Sequence, residues 1–285
     1  MTLIDGKSIS AKVKEEIKAA ASDLAAKGIE PALAVILVGE DAASKTYVAS
    51  KEKACAACGI RSVAHRLSSD VSEAALLELI ENLNEDESID GILVQLPLPK
   101  YIDTNKILEK ISPQKDVDGF SAINVGKLTS GLADGFVPCT PLGVMRLLEE
   151  YGVQIAGKNA VVLGRSNIVG KPMASLLLNA DATVTIAHSK TKDLKQLCAD
   201  ADILVAAVGK AHFVGADMVK QGAVVIDVGI NRGEDGKLRG DVDFDAVAPK
   251  CSLITPVPGG VGPMTIAMLL GNTIKSAKNR LRQRA

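Results

Sequence analysis

Seven short apolar runs constrain the fold of this chain more than any other feature, because each has the length of one buried strand and is too short for a helix. They are ALAVILV (32–38), RSVAHRL (61–67), GILVQL (91–96), NAVVLG (159–164), ATVTIA (182–187), DILVAAV (202–208) and AVVIDVG (223–229). Runs that stay apolar on consecutive positions suit strands covered on both faces, as in a parallel sheet. Helical patterns lie between most of them, clearest in SISAKVKEEIKAAASDLAAKG, DAASKTYVASKEKACAACG, VSEAALLELIENLNED and GKPMASLLLNAD. Several of these end in Gly or Asn, as helix C-termini do. Strands alternating with helices predict α/β architecture.

The βα units form two series, one before about residue 110 and one after about residue 158. A stretch rich in Gly, Pro and Asp joins them, SPQKDVDGFSAINVGKLTSGLADGFVPCTP. A chain of 285 residues is long enough for two domains with separate cores. The pattern predicts domains 1–120 and 121–285, with PLGVMRLLEEYG leading across and a last helix, about 266–285, long enough to pack back on the first domain.

Composition narrows the partners. A net charge of −1 gives no basic field for nucleic acid, and 2% aromatics without Trp gives no platform of stacked rings. This points to small molecules or copies of the chain itself. The N-terminus is charged from Asp5 onward and no apolar run reaches membrane-spanning length, which predicts a cytoplasmic location and no membrane partner. Five cysteines, an odd number in a long chain, argue against a disulfide framework. Cys55 and Cys58 form a C-x-x-C near the end of a helical pattern, with no second pair to complete a zinc site, and the three histidines are scattered; no metal is expected.

The stretch VVLGRSNIVGKP (161–172) reads as strand, loop and helix with glycine at both ends of the loop. Such a turn presents free N–H groups and a positive helix end to an anion. It is not an ATP-type loop: five residues separate Gly164 from Gly170, and Pro172 stands where a magnesium-binding hydroxyl is needed. Ser166 replaces the second glycine of the dinucleotide fingerprint, so a tight turn without ligand stays open on this loop alone. The next strand decides. An NAD site wants an acidic residue there, whereas this chain follows ATVTIA with His188, Ser189, Lys190, Thr191 and Lys192. With Arg165 in the loop, these favour the extra phosphate of NADP.

In the first series, Ser44, Tyr47 and Lys51 share one face of a helix expected from about Ala42 to Cys58. They suit either a proton-transfer pair, since burial lowers the pKa of a lysine, or a solvated Lys with a surface Tyr. Gln95 closes a buried strand before Pro97 and Pro99, at the strand end where open α/β sheets place ligands. KDVDGF offers Asp116 and Asp118 for a metal, a turn or a substrate hydrogen bond. Near the end, TPVPGGVGPMT is shaped for close approach to a ligand or serves as a structural crossover.

Together S-K-T-Y-V-A-S-K, D-G-I-L-V-Q-L-P-L-P, K-D-V-D-G-F, P-C-T-P-L-G-V, G-R-S-N-I-V-G-K-P, D-V-G-I-N and P-V-P-G-G-V-G-P-M-T resemble one family along essentially the whole chain. It is the bifunctional methylenetetrahydrofolate dehydrogenase/methenyltetrahydrofolate cyclohydrolase family of bacteria and organelles. The resemblance implies two α/β domains flanking a cleft, the second a Rossmann-like NADP-binding domain with a parallel sheet. It also implies tetrahydrofolate one-carbon derivatives as substrates and a homodimer contacting through the cofactor domains. Carried over by residue, Lys51 is the general acid/base, Tyr47 lines the folate, Gln95 holds Lys51, and Asp118 hydrogen-bonds the pterin. Gly164, Arg165 and Ser166 form the cofactor loop, Ser189 meets the 2′-phosphate, and Ile230 and Thr265 lie beside the nicotinamide. A dehydrogenase without cyclohydrolase activity would have a changed Lys51 or Gln95, and a non-catalytic NADP-binding module would leave the Ser44, Tyr47 and Lys51 face without a purpose.

Overall fold

The computed structural model describes residues 1–284. The chain divides into two compact units, one formed by Lys12–Cys139 with Ile266–Ala285 and the other by Met1–Ala11 with Thr140–Thr265. It opens with strand β1 (Thr2–Leu3) and helix α1 (Gly6–Ala25), then enters the first βα series.

That series runs β2 (Ala32–Val38), α2 (Ala42–Ala57), β3 (Arg61–Leu67), α3 (Glu73–Glu85), β4 (Gly91–Val94), α4 (Thr104–Lys110) and α5 (Ala122–Thr129). The strands form a parallel sheet in the order β3-β2-β4, with Val35 level with Ala64 and Leu93. The central strand ALAVILV is buried at every position, which is why it carries no polar residue. One of its faces packs Ala34 and Ile36 against Leu76 and Ile80 of α3. Asp41 starts α2 by accepting the Ser44 N–H at 2.8 Å, and Gly59, at φ +71°, follows the helix where a left-handed residue is needed.

The second series runs α6 (Cys139–Glu150), β5 (Asn159–Leu163), α7 (Gly170–Asn179), β6 (Thr183–Ala187), α8 (Leu194–Ala199), β7 (Ile203–Ala206), β8 (Val224–Asp227), β9 (Asn231–Arg232), β10 (Leu238–Arg239), α9 (Phe244–Val247), β11 (Leu253–Ile254) and α10 (Val261–Arg284). Its main sheet has six parallel strands in the order β1-β11-β8-β7-β5-β6, and β9 pairs with β10 as a small antiparallel hairpin. Val161, Leu163, Leu204 and Val225 fill its core from neighbouring strands.

The division differs from the expected 1–120 and 121–285. Residues 121–139 stay with the first series because buried Asp116 accepts the Ser121 N–H and the Asn124 amide at 2.8 and 2.9 Å. Asn272 on α10 then ties this segment down by donating to the Val117 and Val137 carbonyls at 2.8 and 3.0 Å. Met1–Ala11 belongs with the second series, since β1 pairs with β11 and Ser10 Oγ donates to the Pro263 carbonyl at 3.0 Å.

Candidate active site

In the first unit, α2 carries Ser44, Tyr47 and Lys51 on one face, and they meet different surroundings. Ser44 is buried, Tyr47 is 46% exposed, and Lys51 is half-buried. The strand ladder stops at Val94, where Gln95 N–H donates to the Ile36 carbonyl at 2.8 Å. The Gln95 side chain then turns to the helix. Lys51 Nζ donates to Gln95 Oε1 at 2.7 Å, and Gln95 Nε2 donates to the Leu96 carbonyl at 2.7 Å, which fixes the direction of the amide.

Asp118 lies near enough to Lys51 for their charges to interact. Burial pulls the lysine below its ordinary value, and the charge of Asp118 opposes that shift without cancelling it. Burial likewise raises Asp118, with Lys51 opposing. Each group is therefore closer to its neutral form than it would be in water. The structure brings Lys51, Gln95 and Asp118 together.

It also adds a residue that sequence analysis did not single out. Cys139, buried at the start of α6, donates from Sγ to the Val117 carbonyl at 3.4 Å and lies beside Asp118. Burial and Asp118 hold its thiol well above the ordinary cysteine range, so it is an uncharged neighbour of the carboxylate rather than a nucleophile. The only sequence signal was its place in P-C-T-P-L-G-V. Asp116, by contrast, is occupied as a brace for the turn: it accepts the Phe120 and Ser121 N–H groups at 3.2 and 2.8 Å. Among the described residues no group of three His, Cys, Asp or Glu side chains is arranged to hold a metal ion. Cys55 and Cys58 are both buried and unbridged, and burial pushes the Cys55 thiol up to about 12.

A groove of about 660 Å³ lies at the amino end of β4, lined by residues that include Asn84, Asp90, Lys115 and Arg280. None of the predicted site residues lines it, and its buried Asp90 is paired with Arg280 at 2.8 Å.

In the second unit, Gly164 ends β5 at φ +126°, and a Cβ there would lie 2.2 Å from the Ala207 carbonyl oxygen. A Cβ on Gly170 would lie 2.3 Å from the Gly164 carbonyl oxygen. Glycine is needed at both ends, at Gly164 because the Ala207 backbone comes up against it and at Gly170 because the loop closes on its own start. Between them Arg165, Ser166, Asn167 and Ile168 are exposed, and Ser166 Oγ accepts the Val169 and Gly170 N–H groups at 3.1 and 3.3 Å. Among the described residues Arg165 has no carboxylate partner. Ser189 and Lys190 follow β6 at the surface, in a turn that His188 closes by accepting the Lys190 N–H on Nδ1 at 3.2 Å. Ile230 is 47% exposed, and Thr265 shares a 2.9 Å hydrogen bond with Thr140. A cation and hydroxyls without acidic partners, beside a loop with no side chain at its closest approach, fit a dinucleotide that carries a further phosphate besides its pyrophosphate.

Comparison with known proteins agrees with this geometry. Residues 4–118 match the catalytic domain, and residues 138–281 the NAD(P)-binding domain, of tetrahydrofolate dehydrogenase/cyclohydrolase. The chain is 71% identical over 283 residues to the bifunctional protein FolD of Campylobacter hominis, covering 99% of each chain. Among solved structures it resembles the bifunctional FolD methylenetetrahydrofolate dehydrogenase/cyclohydrolase of Campylobacter jejuni, with 59% identity, a TM-score of 0.97 and coverage of 98% and 99%. It also resembles the Trypanosoma brucei enzyme complexed with NADP cofactor and inhibitor, with 42% identity, a TM-score of 0.94 and coverage of 99% and 98%. The chain belongs to the tetrahydrofolate dehydrogenase/cyclohydrolase family.

Proposed function

We propose that the chain is a bifunctional one-carbon enzyme that oxidises 5,10-methylenetetrahydrofolate with NADP to the 5,10-methenyl cation and then hydrolyses it to 10-formyltetrahydrofolate. The observation that carries this reading is the half-buried lysine bonded to the Gln95 amide and within electrostatic reach of Asp118 in the first unit, in a chain whose second unit presents a dinucleotide loop. NADP supplies the hydride acceptor for the first step. That step removes a hydrogen from the bridge carbon with both bonding electrons, so it requires alignment and no acid or base.

The second step requires proton transfer, and the surroundings of Lys51 provide for it. As the neutral amine, Lys51 takes a proton from the water that attacks the amidinium carbon. It returns that proton to the ring nitrogen as the carbon–nitrogen bond breaks, and the hydroxyl proton of the adduct leaves to solvent. Gln95 Oε1 accepts from Lys51 Nζ at 2.7 Å and so directs the nitrogen. Asp118 binds the pterin, and the exposed ring of Tyr47 stacks on the folate. For the cofactor, Gly164 allows close backbone approach, Arg165, Ser166 and Ser189 take the phosphates, and Ile230 and Thr265 stand beside the nicotinamide.

The active form is a homodimer joined through the cofactor unit. This rests on Leu178 and Ile186, 60% and 39% exposed on α7 and on the edge strand β6. Its place is the cytoplasm; among the described residues no helix is long and apolar enough to cross a membrane. The test is to give the purified protein methylenetetrahydrofolate with NADP and follow NADPH and the methenyl absorbance together. NADPH formation without methenyl accumulation is expected. Formation of neither NADPH from NADP nor NADH from NAD would leave a binding module as the better account.

A further inference from the structure

Among the described residues, two buried carboxylates in the second unit have no salt-bridge partner. Asp241 is fully buried and Asp227 is 3% exposed. Four N–H donors surround Asp241: Val208, Gly209 and Lys210 backbone N–H groups at 2.6, 2.9 and 2.9 Å, and the Asn231 side-chain amide at 2.9 Å. Asp227 accepts the Gly229, Asp241 and Val242 N–H groups, each at 2.9 Å. A buried charge without a counter-ion is expensive, and neutral donors alone hold these two.

The two carboxylates join loops that come off neighbouring strands of the sheet. Val208–Lys210 follows β7, whose next residue, Ala207, is the one that Gly164 packs against. Gly229 follows β8 and precedes Ile230, and it has no room for a Cβ because one would lie 2.3 Å from the Asp241 carboxylate. A Cβ on Gly240 would in turn lie 1.8 Å from Asp227 Oδ2. The contacts therefore run without interruption from the Gly164 loop through Ala207 to Asp241, and on through Asp227 and Gly229 to Ile230. Both loops sit at the carboxyl ends of parallel strands, where such sheets bind dinucleotides.

The geometry points to Asp241 as a positioning residue for NADP, one that touches no cofactor atom but sets the Ala207–Lys210 and Gly229–Asn231 loops at a fixed separation. This inference rests on the proposed use of NADP. An amide at position 241 keeps the shape of the side chain but turns an NH₂ group toward two of the four donors, so the loops must part.

The test is NADP binding by calorimetry, together with the cyclohydrolase rate on preformed methenyltetrahydrofolate without NADP, for the wild type, Asp241→Asn and Asn231→Ala. NADP affinity is expected to fall roughly tenfold or more in Asp241→Asn and about threefold in Asn231→Ala, with the NADP-free cyclohydrolase rate unchanged in both. Wild-type affinity in both variants would overturn the inference. Should Asp241→Asn fail to fold, shown by loss of the cyclohydrolase rate as well, Asn231→Ala decides alone: weakened binding supports the inference and unchanged binding sinks it. A wild type that binds no NADP would instead overturn the functional reading beneath it.

Discussion

Under the proposed function, the candidate residues of the two units are set for their ligands by opposite means. In the first, the reactive groups are withdrawn from water: Lys51 and Asp118 are half-buried, Cys139 is buried, and burial has moved the ionisation of all three. In the second, Arg165, Ser166 and Ser189 are exposed, and the buried groups, Asp227 and Asp241, support loops. The difference follows from the two tasks. Proton transfer needs a group whose charge state is easily changed, and desolvation provides that. Phosphate recognition needs a permanent charge at the surface, which an arginine carries at any working pH.

The largest effect should come from breaking the withdrawn site. Lys51→Met is expected to slow the cyclohydrolase step by roughly 10²–10⁴-fold while leaving hydride transfer largely intact, so methenyltetrahydrofolate accumulates beside NADPH. Equal loss of both activities would mean that the lysine holds the folate rather than moving its proton. A smaller effect is expected from the exposed site. Arg165→Gln removes charge-assisted hydrogen bonds and should raise the KM for NADP roughly tenfold to a hundredfold, with the KM for NAD unchanged. If steady-state kinetics show both dinucleotides weakened alike, Arg165 orders the loop instead of reading the 2′-phosphate.

The smallest effect is one of pH, and it sharpens the contrast. Lys51 must be neutral to accept a proton, and burial depresses its pKa below the ordinary 10.5. Raising the pH frees the amine. The cyclohydrolase kcat at saturating folate should therefore rise with pH through a limb centred below that of a free lysine, while NADP affinity shows no matching limb. A limb at or above 10.5 would remove the argument for a desolvated base.

Much of this organisation can be read in the sequence, for identifiable reasons. β2 and β3 coincide with ALAVILV and RSVAHRL, the first apolar and buried at every position, the second only partly buried and carrying Arg61, Ser62, His65 and Arg66. GILVQL ends earlier than its composition suggests: Gln95 turns its side chain to Lys51, and no apolar pattern records where a ladder stops. Helix α5 lies hidden in the Gly-rich stretch, started by Ser121, which accepts the Asn124 N–H at 3.3 Å. The same stretch concealed the division between units, since the bonds that keep it with the first series reach Asn272 on α10, more than a hundred residues away in sequence. Gln95 stands out by its strand position, whereas the spacing of Lys51 leaves a proton-transfer pair and a solvated lysine both open. Cys139 does not stand out, because its part depends on reaching the Val117 carbonyl and the Asp118 carboxyl, a meeting that only the fold arranges.

All five cysteines are buried and unbridged, which gives the chain a set of internal reporters. A folded molecule offers no thiolate to an alkylating reagent, so the rate at which each thiol is labelled measures how often its surroundings open. Cys198 and Cys251 report on the second unit, and Cys55, Cys58 and Cys139 on the first. Cys139 has a further use: lying against Asp118, it is the thiol whose labelling a bound folate should slow most. Mass spectrometry of the five peptides, with and without ligand, would thus time the opening of each unit from unmodified protein.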